Sequence, residues 1–358
     1  MNNKQAGASE QENGKKNIVF LPYKVSMFDS MESVWRAATD DSLNCNVYVV
    51  PIPYADKNPD GSAREWHCEA DDFPDDVPVE DWRTFDLKGM HPDVIVVHNP
   101  YDEMNLVTSV EPRFYSRNLK FLTDKLVYIP YFVTSEPTYE QMQDKEQRQN
   151  FIKGIEHFCA APGVIHSDLT IVQSDNMREI YIDVLTKNTD VADRRFWEKR
   201  VSGIGSPKID KVLTTKKEDL AIPDEWLKVV KKSDGTWKKI VFYNTGLGAL
   251  LQHNEKMLKK VRQVLGVFKE QKDEIALLWR PHPLIPATIK SMRPRLLPEY
   301  EAILHEYKSE GWGIYDDTPD VDRAVVLSDA YYGDVSSVVQ LYEQTGKPIM
   351  MQNVEAMV

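Results

Sequence analysis

The stretch Asp329-Ala330-Tyr331-Tyr332-Gly333-Asp334-Val335-Ser336-Ser337-Val338-Val339 restricts the fold more than any other part of the chain. A short apolar run enters Gly333, and the apolar residues that follow, Val338, Val339, Leu341 and Tyr342, recur at helical spacing. The small polar residues therefore fall on a strand-to-helix turn. Such a turn is an anion site in outline. The first amides of a helix lack intrahelical partners and carry the positive end of its dipole, and Ser336 and Ser337 add hydroxyl donors without crowding a phosphate. The same letters also describe a helix capped by Asp334 or Ser336, so the choice depends on what else reaches the turn.

Upstream, Ile275-Ala276-Leu277-Leu278-Trp279 reads as a buried strand ending on Arg280-Pro281-His282-Pro283. In an open parallel α/β sheet, ligands sit outside the carboxyl ends of the strands. An arginine, an imidazole and a helix start would then share one crevice, a combination that suits a diphosphate. Lys239 to Tyr243 reads as a further strand running into Asn244-Thr245-Gly246-Leu247-Gly248. Gly246 and Gly248 there either let the backbone approach a phosphate closely or form a plain turn. In Asp316-Asp317-Thr318-Pro319-Asp320 the Thr318 hydroxyl or the backbone either reaches a nucleotide, or Thr318 or Asp320 caps the next helix.

With His282-Pro283, Asp334-Val335-Ser336-Ser337 and Lys347-Pro348-Ile349 in that order, and Gly205-Ser206-Pro207-Lys208-Ile209-Asp210 before them, the chain resembles the CDP-glycerol glycerophosphotransferases. These are the teichoic acid primases and polymerases of the GT-B glycosyltransferase fold. The resemblance runs from about Gly205 to Gln352 and is only topological before that. It implies an α/β fold of two Rossmann-like domains, the second holding a CDP-linked donor, CDP-glycerol or a related alcohol, through Arg280, His282, Thr245, Gly246, Asp334, Ser336 and Ser337. The implied acceptor is a polymer or lipid-linked precursor of the cell envelope or capsule, reached at the inner face of the membrane. The implied chemistry has a base from the first domain deprotonate an acceptor hydroxyl, which attacks the phosphorus next to glycerol and expels CMP, with no cofactor and no metal. One departure stands out. The family's Trp-His-Gly-Thr segment, which carries its proposed base, is matched here by Tyr128-Ile129-Pro130-Tyr131-Phe132-Val133-Thr134. Tyr131 stands in the histidine's place, and a phenol with a pKa near 10 is a poor base at neutral pH. Transfer of a sugar from a nucleotide-sugar, and non-catalytic nucleotide binding, therefore stay open as alternatives.

The 358 residues, 42% of them hydrophobic, suffice for two ordinary cores. The expected division is a polar, disordered lead over 1–16, an acceptor-side domain over 17–200, a connection over 201–237 and the donor domain over 238–358. The last looks short at its C-terminus for a GT-B domain. No window approaches a membrane span, and the lead lacks the apolar core of a signal peptide, so the expected location is the cytoplasm. With 44 basic against 56 acidic residues, a formal charge of −12, a general nucleic-acid surface is excluded, though a local basic cluster is not. Cys45, Cys68 and Cys159 are odd in number and show no metal-ligand spacing, so they read as reduced thiols.

In the first half, Asn17–Tyr23, Asn46–Pro51, Val94–His98, Lys125–Ile129 and Leu169–Gln173 read as strands, with a helix over Phe28–Ala38 and a polar, Gln-rich helix around Glu140–Phe158. The first βα turn has no glycine-rich fingerprint, which argues against a dinucleotide site there. Val94-Ile95-Val96-Val97 delivers His98 to a carboxyl edge with Asp102 four residues on. The pair reads either as a base with its orienting partner or as local strand capping. His166 falls at the wrong end of its strand for chemistry, His157 reads as packed or at the surface, and the acidic run Glu69–Asp81 reads as a solvated loop.

Overall fold

The computed structural model describes residues 14–58, 60–105 and 107–355, without the Ser291 side chain. Most of the lead expected over 1–16 lies outside the described residues. The chain divides into two compact units, Met1–Tyr131 with Glu136–Pro207, and Phe132–Ser135 with Lys208–Val358.

The first unit contains β1 (Lys16–Leu21), β2 (Cys45–Val49), β3 (Tyr54–Lys57), β4 (Ala63–His67), β5 (Val94–Val97), β6 (Thr108–Val110), β7 (Lys125–Tyr128), β8 (Leu169–Ile171) and β9 (Val201–Ser202). Six of these form a parallel sheet in the order β2-β1-β5-β7-β8-β9. Parallel neighbours need long crossovers, and burial on both faces explains why strands such as Val94-Ile95-Val96-Val97 are wholly apolar rather than alternating. The expected strands are present within a residue or two at most ends, and the first helix runs Asp29–Asp40; the single helix expected around Glu140–Phe158 is instead two, Tyr139–Gln143 and Lys145–Cys159, broken at Asp144, whose extended backbone lets its carboxylate cap the second.

A small antiparallel sheet, β4-β3-β6, was not foreseen. Its strands are short, and β4 is almost wholly exposed, so they carry little apolar periodicity to read. The acidic run is a loop with one short turn at Ala70–Asp72. Its first residue, Glu69, is an anchor: its carboxylate accepts from Val25 N at 2.8 Å and from the Tyr54 hydroxyl at 2.7 Å.

The second unit contains β10 (Lys239–Thr245), β11 (Ile275–Pro281), β12 (Ile314–Tyr315), β13 (Ala330–Gly333) and β14 (Ile349–Met351) in a parallel sheet ordered β12-β11-β10-β13-β14. Counted within the unit this is the order 3-2-1-4-5, so the winding reverses between β10 and β13, where an open sheet leaves a crevice at its carboxyl edge. Two apolar layers flank the sheet. Ile240, Phe242, Leu278, Val325 and Tyr342 pack on one side, and Tyr243, Leu277, Trp279, Val261 and Tyr307 on the other. Each such side chain, fully buried, stabilises by roughly 1.5–3 kcal/mol before entropy is counted.

The segment 201–237 is built into the units rather than spanning free. Val201–Ser202 is the edge strand of the first sheet, and Trp226 and Val230, on the helix Asp224–Val230, are buried in the second core.

Candidate functional site

Three neighbouring strands of the second unit, β11, β10 and β13, each end in a turn that opens a helix: Ile285–Met292, Leu247–His253 and Ser337–Glu343. None of these three helices has a side-chain cap. Elsewhere such caps are common, as at Thr138, Asp144, Ser174 and Asp320. At two of them the N-cap residue, Leu284 or Gly246, has no side chain that could cap. Ser336 occupies the N-cap position of the last helix, yet its hydroxyl donates to Asn244 Oδ1 at 3.0 Å. Of the first-turn amides of that helix, that of Val339 donates to the Ser336 carbonyl at 3.2 Å, and no side chain caps the others.

Asn244 holds the edge together. Its amide donates to the Arg280 carbonyl at 2.9 Å, and its Oδ1 also accepts from the Tyr331 hydroxyl at 3.3 Å, so one buried side chain ties the ends of β10, β11 and β13. Asp334, also buried, accepts from Gly246 N at 2.5 Å and from Gln352 Nε2 at 3.1 Å. Burial pushes its carboxyl up, and those two hydrogen bonds oppose the shift. Gly333 allows this closeness. A Cβ there would stand 2.1 Å from the Asn244 carbonyl oxygen.

The expected donor residues therefore divide. Arg280 is buried and committed: Nη1 pairs with Asp316 at 2.6 Å and Nη2 donates to the Thr318 carbonyl at 2.7 Å. Asp316 in turn accepts from Thr318 N at 3.1 Å and from its hydroxyl at 2.7 Å. The pair builds the loop after β12. The Thr245 hydroxyl accepts from Trp279 Nε1 at 3.2 Å, and Gly246 N is held by Asp334. His282 differs. Its amide donates to the Thr245 carbonyl, and its Nδ1 accepts from Leu284 N at 3.2 Å, which leaves the proton of the neutral ring on Nε2. Burial lowers its pKa, so at neutral pH the ring is an uncharged donor. His282 lines a cavity of about 230 Å³ with Arg280, Tyr315 and Thr318. Ser337 is exposed.

Of the sequence alternatives for this loop, capping holds at Asp320, which accepts from Arg323 N; the ion pair of Asp316 with Arg280 was missed. Asn244 and Gln352 were missed as well. A polar residue inside an otherwise apolar strand end was the available signal for Asn244; nothing local marks Gln352.

In the first unit, Tyr23 follows β1, His98 follows β5 and Tyr131 follows β7, again at the carboxyl edge of adjacent strands. His98 is fully buried. Its Nε2 accepts from Tyr23 N at 3.2 Å, and its Nδ1 lies 3.0 Å from the Ser30 hydroxyl and 3.1 Å from the Met27 carbonyl. The Tyr23 and Tyr131 rings stand against it. Asp102 does not orient this ring. It sits at φ 47° and accepts from the amide and hydroxyl of Ser116, the latter at 2.6 Å. The Ser116 hydroxyl also meets His166 Nδ1 at 2.8 Å. Asp102 is thus linked to His166, read from sequence as structural, and not to His98. The hydroxyls of Tyr23, Tyr101 and Tyr131 are all shifted upward by burial, which makes them donors and poorer bases still.

Among the described residues, one trio has metal-ligating donors close together: Asp56, Glu65 and His67, across the β3–β4 pair, within 4.8 Å of one another. Asp56 also pairs with Arg64. Among the described residues no helix is long and apolar enough to cross a membrane.

No family model matches the chain, and no curated protein matches it in sequence. Solved structures do. A Listeria monocytogenes protein described as a UDP-N-acetylglucosamine 2-epimerase aligns over 96% of this chain and 81% of its own at 14% identity, with a TM-score of 0.51. The S. aureus protein MnaA, solved with UDP, aligns over 94% and 78% at 14% identity, also with a TM-score of 0.51. The wall teichoic acid polymerase TagF aligns over 95% and 71% at 16% identity, with a TM-score of 0.49, too slight a likeness to carry an argument. At such identities the similarity speaks for the fold alone: the chain is a two-domain α/β protein of the GT-B type.

Proposed function

We propose that the second unit binds a nucleoside-diphosphate-linked donor at the carboxyl edge of β11, β10 and β13, and that the protein is a transferase acting on that donor. The observation that carries this reading is the set of three helix starts without side-chain caps, side by side at the strand-order reversal, with the His282 Nε2–H on one flank and Ser337 on the other. The flanking strands are two spacings apart, roughly 10 Å, which suits a diphosphate with its substituents better than a single phosphate. Amides and a neutral imidazole at such an edge would stabilise charge on a leaving phosphate.

The four motifs around Gly205, His282, Asp334 and Lys347 favour a CDP-linked alcohol, with glycerol phosphate passed to a hydroxyl of a cell-envelope or capsular precursor and CMP released. His98 is too enclosed to serve as its base as it stands. Nucleotide-sugar chemistry is the second reading, favoured by the UDP-linked names of the structurally similar epimerases.

The test is a thermal-shift and calorimetric comparison of CDP-glycerol, CDP, CMP, UDP and UDP-N-acetylglucosamine with the wild type and with His282→Ala and Ser336→Ala. A ligand at a hundred times its Kd should add about 2.7 kcal/mol to stability. Cytidine ligands are expected to stabilise the wild type and to bind both variants more weakly. Binding of uridine ligands alone would move the assignment to nucleotide sugars. Equal affinity in wild type and variants would remove the site.

A further inference from the structure

A second cavity, of about 440 Å³, lies in the first unit between the helices Lys145–Cys159 and Asp175–Asn188, and nothing in the donor-site reading uses it. Lys145, Arg148, Ile152 and Glu156 recur along one face of the first helix, with Lys153 beside them. Lys187 and Asn188 come from the last turn of the second, and Arg194 closes the end. Five cations against the two carboxylates of Glu156 and Asp183 stand around one recess, in a chain whose formal charge is −12.

The cations have two different standings. Arg148 and Arg194 are fixed, because each pairs with one oxygen of Asp183, and Arg194 also reaches Glu179 and Glu198. The side chains of Lys145, Lys153 and Lys187 enter no ion pair or hydrogen bond among the described residues, and all three residues are exposed. Three unpaired like charges around a recess repel one another, and a multivalent anion relieves that repulsion while meeting donors on both walls. The guanidinium of Arg148 has further N–H groups beyond the one given to Asp183, and Asn188 and Gln149 add neutral donors. Helix dipoles settle nothing here, since the N-terminal part of one helix faces the C-terminal end of the other. Side-chain charge decides the ligand class.

We infer that this cavity is a binding site for a phosphorylated ligand carrying at least two negative charges, either a free small molecule or the headgroup of an anionic lipid. Its volume admits a group of sugar-phosphate or diphosphate size. The pair Asp183–Arg148 sets the floor, and the exposed lysine heads meet the anion from the rim.

The experiment titrates inorganic pyrophosphate into the full chain by calorimetry, with hydrogen exchange to locate the contact, in wild type and in the double variant Lys153→Glu/Lys187→Glu. Both positions are exposed, so the fold should tolerate the change. The expected result is protection of the segments around Arg148–Glu156 and Asp183–Asn188, and a loss of affinity of about tenfold or more in the double variant at low salt, with its melting temperature unchanged. Arg148→Lys, which keeps the charge and loses the fork, should weaken binding less than the double reversal. Sedimentation with phosphatidylcholine vesicles, with and without phosphatidylglycerol, separates the two sources. Lysine-dependent capture by anionic vesicles assigns the headgroup, and pyrophosphate binding without capture assigns a free ligand. If neither probe protects the two helices, or if both variants bind as the wild type does, the inference is overturned.

Discussion

Arg280 was expected at the phosphates, and the structure pairs it with Asp316; an architectural role and a phosphate-binding role predict opposite outcomes. The Arg280 side chain is 9% exposed and the Asp316 side chain 0%. Arg280→Met keeps much of the volume but leaves Asp316 Oδ2 without its partner inside the fold. Asp316 Oδ1 keeps Thr318. Removing one member of a buried pair typically costs about 3–5 kcal/mol, chiefly because the remaining charge has no compensation, and that is a large part of the 5–15 kcal/mol a domain commands. Arg280→Met/Asp316→Asn removes the stranded charge as well, so it should recover at least about half of the loss; the cycle with Asp316→Asn isolates the coupling. Urea unfolding of the four proteins, followed by circular dichroism and by tryptophan fluorescence, reads these values, with buried Trp279 next in sequence to the mutated residue. CDP-glycerol affinity is measured in parallel below the unfolding range. An architectural Arg280 predicts a large stability loss and an affinity that returns in the double variant together with the loop. A loss below about 1 kcal/mol, or a double variant as unstable as the single, would refute the argument. Full stability with abolished binding would restore Arg280 to the phosphates.

Two further outcomes follow from the same edge. Gly333→Ala would place a methyl 2.1 Å from the Asn244 carbonyl oxygen, a backbone clash that no side-chain movement relieves, so a loss of more than about 3 kcal/mol is expected; a melting temperature within about two degrees of wild type would contradict it. His282 and His166 both have folded-state pKa values lowered by burial. The unfolded chain therefore takes up protons first as pH falls, and the stability fully present above the unfolded value of about 6.5 declines below it. Melting temperatures between pH 7.5 and 5 should fall less steeply in His282→Gln than in wild type, the comparison cancelling every other titrating group; parallel profiles would show that the ring is not held neutral.

Much of the architecture was legible because it rests on local patterns. Val94–Val97 and Ile275–Trp279 are apolar runs too short for helices, and Gly333, Pro281 and Gly246 stand where strands stop. The small sheet β4-β3-β6 was not legible. Its pairing of Asp56 with Glu65 and Tyr54 with His67 is a matter of cross-strand register, which leaves no periodic trace in an exposed strand. The site was legible as a place and less so as a set of roles. Distance along the chain hides partners: Asn244 and Ser336, or Asp102 and Ser116, reveal themselves only when strand order brings them together. The pairing of His98 with Asp102 came from proximity in sequence. A left-handed residue at Asp102 turns its carboxylate to Ser116 instead.

The residues that made the chain resemble a known family also turn out to have architectural duties. Asp334 secures the Gly246 amide and Gln352. Lys347, half-buried, donates to the carbonyls of Val325, Val326 and Ser328 at 2.9, 3.0 and 2.7 Å, closing the C-terminal end of the helix Val321–Leu327. Gly205, at φ 125°, takes a conformation that a side chain would disfavour. A motif built from such residues ties a strand edge and its loops into one geometry. It says much less about which nucleotide the proposed site would take, since these hydrogen bonds are all made within the protein itself. In the proposed site, donor identity would rest on groups not spent on the fold, such as His282 Nε2 and the exposed Ser337. Substituting Lys347→Met should therefore lower stability while leaving the rank order of nucleotides unchanged. A variant that reordered cytidine and uridine ligands through Lys347 would show that the architectural reading of the motif is wrong.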